Sequence, residues 1–379
     1  MRGHIREYRP GKWSYTIYVG KVDGKPKKEE KGGFTSKSDA EAACSIKLAE
    51  LATTGEIFKP SDMTLQDLFD EFISSAAITR RPSTMAKHNT IWIHHIKEPL
   101  GHRFIKTLKP KDINDLMVKK IGDGYSDGYV NSIFKTLSAM FLLAEEHQYL
   151  KTNIMTKASR PKVAKAPVDI FTPEQIQTIL DAIANTNLLL PVKIGLNTGM
   201  RVGEVLGLRW RDIDFNTNTI KIDHQLLAEK GRYCIGETKT GRVRSIKITQ
   251  DLADYLQEKK KTQQLNKKDA GEFYKEIKVF NYFTNKTEIV SDFVCVKDNG
   301  AQINQGSLKY IDRVTTPLGV EFNFHKLRHT HATNLIENGA SIKMVQERLG
   351  HARPDITLNV YSHVSSKYEQ NILDVIPKF

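Results

Sequence analysis

The side chains with the clearest chemical capacity in this 379-residue chain fall in its C-terminal half, in four short stretches. These are TGMRVGEVLGLRW (198–210), ETKTGRVRSIKI (237–248), HKLRHTHATNLIENG (325–339) and LGHARPDITLNVYSHV (349–364). In order they supply Arg201, Lys239, His325, Arg328, His351 and Tyr361. Each has an ordinary reading when taken singly. Arg201 follows a glycine turn, Lys239 reads as part of a β-hairpin turn, His325 and Arg328 share a helix surface, and Tyr361 fits a core aromatic. As a set they suit phosphodiester cleavage. Two guanidiniums, Arg201 and Arg328, can fork onto phosphate oxygens that gain charge and remain cationic at any working pH. A free tyrosine has a pKa of about 10 and is a weak nucleophile until its proton is removed. Surrounding cations lower that barrier, and His325 can accept the proton. Lys239 can return a proton to the leaving oxygen, and His351 can contact the phosphate or steady its neighbours. Built this way, the site calls for no metal and no other cofactor.

In this order, with Glu204 following Arg201 and a glycine preceding His351, the residues resemble the tyrosine recombinase (phage integrase) family. The likeness is to the integrases of temperate phages and conjugative transposons in particular, and its motif-bearing part covers about residues 170–365. The resemblance implies a site-specific recombinase that cleaves and rejoins DNA through a 3′-phosphotyrosine intermediate, integrating and excising a mobile element. The six residues would be catalytic and Glu204 accessory. It also implies double-stranded DNA carrying core-type and arm-type sites, a homotetramer on that DNA, and an excisionase and a host DNA-bending protein as helpers. Two other functions fit parts of the pattern. A type IB-like topoisomerase shares the phosphotyrosine chemistry. A non-catalytic regulator would need only the helix-turn-helix pattern in GASIKMVQERLGHARPDIT, where Ile342, Val345 and Leu349 form a stripe, Gly350 ends it and Pro354 opens the next helix.

The elements that must position these residues are legible in outline as an α+β chain. Residues 1–58 read as a small β-rich module: Trp13, Tyr15, Ile17 and Val19 alternate with polar neighbours, Asp23-Gly24 makes a hairpin turn, and Gly32-Gly33 closes a second extended run. Ser36 or Ser38 then caps a helix carrying Ala40, Ala43, Ile46, Leu48 and Leu51. Residues 62–157 read as a helical bundle. Leu65, Leu68, Phe69 and Phe72 follow Thr64 at helical spacing, and further helices fit Ser83–Lys97, Lys109–Lys119 and Tyr125–Tyr149. Residues 158–169 form a basic, proline-containing linker. Residues 170–379 read as a mixed, mainly helical catalytic domain with a small β-sheet, opened by Thr172-Pro173-Glu174. Ile356, Val360 and Val364 would bury one face of a short helix and leave Tyr361 about 100° away from it. Residues 259–305 carry no clear pattern. The apolar tail 371–379 can pack on its own core or on a neighbouring protomer.

Lys plus Arg number 57 against 44 Asp plus Glu, a formal charge of +13. The surplus divides as +4, +5 and +4 over residues 1–60, 61–165 and 166–379, a spread that contact with a long polyanion along the chain would explain and that solubility alone would explain as well. On pattern, the DNA contacts of the N-terminal module fall to Arg6, Arg9, Lys12, Lys25, Lys27 and Lys28, interleaved with aromatics, and those of the linker to Arg160 and Lys162. Cys44, Cys234 and Cys295 are far apart, forming neither a zinc pattern nor a disulfide framework, which suits a reducing, cytoplasmic setting. No apolar run long enough for a membrane span or signal core is present.

Overall fold

The computed structural model describes residues 3–22, 25–54, 61–79, 82–163, 169–229 and 231–350. It divides into two compact units, Met1–Ala164 and Lys165–Phe379. Asp23-Gly24, Pro354, His351, Tyr361 and the tail lie outside the described residues.

The first unit begins with strands β1 (Gly3–Arg9), β2 (Lys12–Val22) and β3 (Lys25–Phe34) in an antiparallel sheet with β2 central. Helix α1 (Lys37–Thr54) covers one face. Alternation along β2 puts Tyr15 and Ile17 inward and leaves Tyr18 exposed. Ser36 is the cap, accepting from the Asp39 N–H at 3.1 Å. The expected inner face of α1 needs one correction. Ile46 is 67% exposed, and Cys44 is buried in its stead with Ala40 and Leu51. Positions 40, 44 and 51 share one stripe at 3.6 residues per turn, whereas 46 falls on the opposite side.

The rest of this unit is α2 (Leu65–Thr79), α3 (Pro82–Ile91), α4 (Lys97–Leu100), α5 (Pro110–Gly122) and α6 (Asp127–Glu146). Leu65, Leu68, Phe69 and Phe72 meet Val130, Ile133, Leu137, Met140 and Phe141 in one apolar core. The helix expected over 83–97 is interrupted by a π-helical turn, Trp92–Ile96, in which the Lys97 N–H donates to the Trp92 carbonyl. Pro99 accounts for it. Its ring would collide with the carbonyl four residues back, and one wider turn relieves the clash. Trp92 remains in the core, stacked on Phe69 at 4.3 Å. The start of the basic segment stays with this unit: Ser159 N–H donates to Asn114 and Arg160 Nε to Asn131.

The second unit opens with α7 (Pro173–Ala182), α8 (Leu189–Thr198) and α9 (Val202–Gly207). Thr172 and Gln175 cap α7 reciprocally. Two small sheets follow. One has β4 (Ile213–Asp214), β5 (Thr219–Ile222) and β8 (Arg244–Lys247), with β5 central. The other has β6 (His224–Glu229), β7 (Arg232–Glu237), β9 (Ile277–Asn281) and β10 (Lys286–Val290), in the order β10-β9-β7-β6. Helix α10 (Gln250–Ala270) lies between β8 and β9 in sequence, and α11 (Lys309–Thr315), α12 (Phe324–Glu337) and α13 (Ile342–Leu349) end the described part.

The unpatterned stretch 259–305 is thus the polar end of α10, the β9–β10 hairpin and a loop. Its pattern is weak because α10 buries only Leu252, Ala253 and Leu256, all before residue 259, and because β9 pairs in parallel with the distant β7. Lys239 also departs from expectation. β7 and β8 do not pair with each other, so Lys239 is not in a hairpin turn. β7 is flanked on both sides, by β6 and β9, and the chain leaving it crosses to pair β8 with β5. Lys239 sits in the turn Thr238–Gly241 on that crossing, where the Gly241 N–H donates to the Thr238 carbonyl. Among the described residues no helix is long and apolar enough to cross a membrane.

Candidate active site

The site is built where α8, α9, α12 and α13 converge. α8 ends at Gly199, whose φ of +66° favours glycine. A Cβ there would meet Leu349 at 2.5 Å and His331 at 2.8 Å, so a side chain at 199 would push α12 and α13 away from the end of α8. Arg201 follows at the start of α9. Its backbone N–H and its Nη1 both donate to Glu204, at 2.9 and 3.0 Å. Glu204 therefore caps the helix and orients the arginine together. α12 brings His325 and Arg328. Asn323 accepts from the His325 N–H and fixes the first turn, while Thr330 accepts from the Phe171 N–H and holds the helix further along.

Arg328 is 2% exposed. Its Nη1 donates to the Gly199 carbonyl at 2.7 Å and its Nη2 to the Leu349 carbonyl at 2.6 Å. Burial, with Arg201 and Arg244 nearby, draws its pKa down to about 9, against the pull of Glu204, so the group stays cationic at neutral pH. Burial alone would raise the Glu204 carboxyl. Hydrogen bonds and charge from Arg244 and Arg201 outweigh it and hold the group below the ordinary carboxylate range. The His325 imidazole is pushed down to about 4, first by desolvation and then by His329, Arg328, Arg201 and Lys239. It is therefore uncharged throughout the physiological range, which leaves one ring nitrogen as an acceptor. His329 packs edge-on against it at 4.7 Å. Lys239 is exposed on its turn and reaches the same field.

Arg201, Glu204, Lys239, His325 and Arg328 are thus gathered in one place. Gly350, with φ +67°, ends α13 one residue before His351. The helix-turn-helix pattern corresponds at its first half to α13, whose end serves this site. Sequence reasoning missed Arg244 on β8. Its Nη1 and Nη2 donate to the two oxygens of Glu204 at 3.1 and 2.7 Å. Only strand pairing that carries β8 to β5 brings it there, and no local signal in the sequence marks it.

Of the basic residues assigned to DNA on pattern, Arg6, Arg9, Lys12 and Lys28 are exposed on the N-terminal sheet, with Arg6 paired to Glu30. Lys25 and Lys27 lie on β3, and Arg160 and Lys162 are exposed beyond the helical bundle. Asp212, Asp223 and His224 cluster with metal-ligand composition. The His224 ring nitrogens lie 2.6 Å from the Asp223 carboxylate and 2.8 Å from the Gly207 carbonyl.

The fold and this site define a tyrosine recombinase. Residues 169–367 match the model of the phage integrase family, a span that takes in His351 and Tyr361, and residues 6–51 match that of an arm DNA-binding domain. The chain belongs to the phage integrase family. It is 28% identical over 337 residues to a XerC-like tyrosine recombinase of Caldanaerobacter subterraneus, covering 83% of each chain. It is 24% identical over 321 residues to the ICEBs1 integrase of Bacillus subtilis, again 83% of each. Among solved structures, its fold is similar to that of the Tn1549 transposon integrase in complex with transposon right-end DNA. The TM-score is 0.67 at 22% identity, over 83% of this chain and 99% of that one. A lambda integrase tetramer bound to a Holliday junction gives a TM-score of 0.57 at 18% identity, over 94% of each chain.

Proposed function

We propose that this recombinase integrates and excises a mobile element by cutting each strand with Tyr361. The tyrosine oxygen attacks the phosphorus, a 3′-phosphotyrosine bond forms, and the bond to the 5′-oxygen breaks. The tyrosine proton passes to neutral His325, and Lys239 protonates the leaving oxygen. Arg201 and Arg328 hold the phosphate oxygens as their charge grows, Glu204 orients Arg201, and His351 steadies the phosphate from beside Gly350. The observation that carries this reading is the convergence of two arginines, a neutral histidine and an exposed lysine near the point where the chain runs on toward Tyr361. The phosphotyrosine conserves the energy of the broken strand, so the reverse reaction reseals it without ATP.

The match of residues 6–51 to an arm DNA-binding domain supports a second class of DNA site, read by the β1–β3 sheet through Arg6, Arg9, Lys12, Lys25, Lys27 and Lys28. Arg160 and Lys162 would follow the backbone near the core site. Four protomers would act together on DNA, a reading supported by the lambda integrase tetramer bound to a Holliday junction, with an excisionase and a host DNA-bending protein setting direction, in the cytoplasm. The test is Tyr361→Phe on a nicked core-site duplex. The natural protein should trap a covalent protein–DNA adduct, while the variant binds DNA and traps none. An adduct with the Phe variant would remove Tyr361 from the mechanism.

A further inference from the structure

We propose that Arg244 is a positioning residue for strand cleavage, a single guanidinium that sets Arg201 relative to the chain leading to Tyr361. The proposal rests on the functional reading above and adds a residue to it. Arg244 has a 7% exposed side chain with every nitrogen engaged, two of them by a carboxylate. Two nitrogens grip the two oxygens of Glu204, the carboxylate that in turn orients Arg201. The third, Nε, donates to the Arg348 carbonyl at 2.9 Å.

That last contact is one of a series. The carbonyls of Arg348, Leu349 and Gly350 accept, in turn, from Arg244, Arg328 and Arg201. Carbonyls in a last helical turn have no partner within the helix and carry the negative end of its dipole, so three cations on three successive carbonyls fix that end firmly. Gly350 allows the close approach: a Cβ there would sit 3.2 Å from the Arg244 side chain. The next residue is His351, and Tyr361 lies ten further on. Arg201 and Arg328 both belong to the phosphate clamp. Arg244 alone ties the same helix end to Glu204 without being needed at the phosphate. Without it, Glu204 is buried with only Arg201 for company. Its carboxyl then rises, takes up a proton, and lets Arg201 go.

The experiment uses the full-length protein and a nicked duplex carrying the end sequence of the mobile element. Arg244→Met should lower the single-turnover cleavage rate about 100-fold, the scale of losing one aligned transition-state donor, with DNA affinity within about threefold. Its rate should also fall on the acid side at a higher pH than that of the natural protein. Adding Glu204→Gln removes the unpaired charge. It should restore thermal stability and abolish that shift without restoring the rate. Arg244→Lys keeps a charge but loses the fork, so it should fold and lose about tenfold. The proposal is overturned if Arg244→Lys and Arg244→Met both cleave within about threefold of the natural rate, or if the double variant recovers that rate in full. The first result would make Arg244 dispensable for cleavage, and the second would make it a charge neutraliser only. Tyr361→Phe, run alongside, reports separately on the underlying reading, since its loss of adduct does not depend on Arg244.

Discussion

The helical bundle of the first unit and the α8–α13 region of the second make opposite use of their interiors. The bundle fills its centre with Leu68, Phe69, Trp92, Ile133 and Phe141 and leaves its cations outside. The second unit places Arg328, Glu204 and Arg244 inside, each held by carbonyls or by opposite charge. A surface lysine adds affinity for a polyanion at little structural cost, and its effect is screened by salt. A buried arginine is expensive unless each donor is satisfied, but its position is then fixed, which is what transition-state stabilisation requires. Binding and chemistry thus draw on the same residue type in different surroundings.

The contrast can be broken first where packing alone is at stake. Phe141 is fully buried, so Phe141→Ala should cost the first unit about 3–5 kcal/mol in urea denaturation. Cleavage by whatever fraction stays folded should be spared, and an equal loss per folded molecule would blur the division. Next is Arg328→Lys. Loss of the fork that holds Gly199 and Leu349 should lower cleavage by about 10²–10³, roughly 3–4 kcal/mol in the barrier, with DNA affinity changed less than about threefold. Parallel losses of binding and cleavage would return Arg328 to a plain DNA anchor.

A third test uses pH. His331 is buried and its pKa is pushed down to about 4, by burial first and then by Arg348, whose Nε donates to the His331 ring nitrogen. The folded state thus resists a proton that the unfolded chain accepts near 6.5. Stability from this group is complete above pH 6.5 and is lost as pH falls toward 4, by about 3 kcal/mol in all. Glu204, held below its ordinary value, adds to the loss only under about pH 4.5, so the window from 6.5 to 4.5 reports the histidines. Urea titrations of residues 165–379 should show this slope, and His331→Gln should remove only its own share, since His325 is depressed as far. A natural protein equally stable at pH 7 and 5 would contradict it. The smallest effect belongs to the surface. Arg9→Ala should weaken DNA binding by less than tenfold and reduce the salt slope by about 1, leaving cleavage of a short core duplex unchanged. A specific defect in cleavage would mean that the N-terminal module takes part in the chemistry.

Much of this molecule was readable because its signals are local. Thr172 and Ser36 cap the helices they precede, since a cap needs only residues two or three positions away. The apolar stripe from Val130 to Ala144 announces its helix by period alone. Arg201, Lys239, His325 and Arg328 could be chosen from residue type and order, because the chemistry of a phosphodiester limits which side chains serve. What tertiary structure decided is of another kind. Lys239 stands on a crossing between two sheets because β7 already has neighbours on both edges, a fact of pairing between distant strands. Ile46 faces out and Cys44 in because the phase of α1 is set by the sheet beneath it. Arg244 and Glu204 lie forty residues apart and meet only when β8 joins β5 beside α13. No period or spacing along the chain records that meeting, since the free energy of a buried ion pair depends on what surrounds it in space.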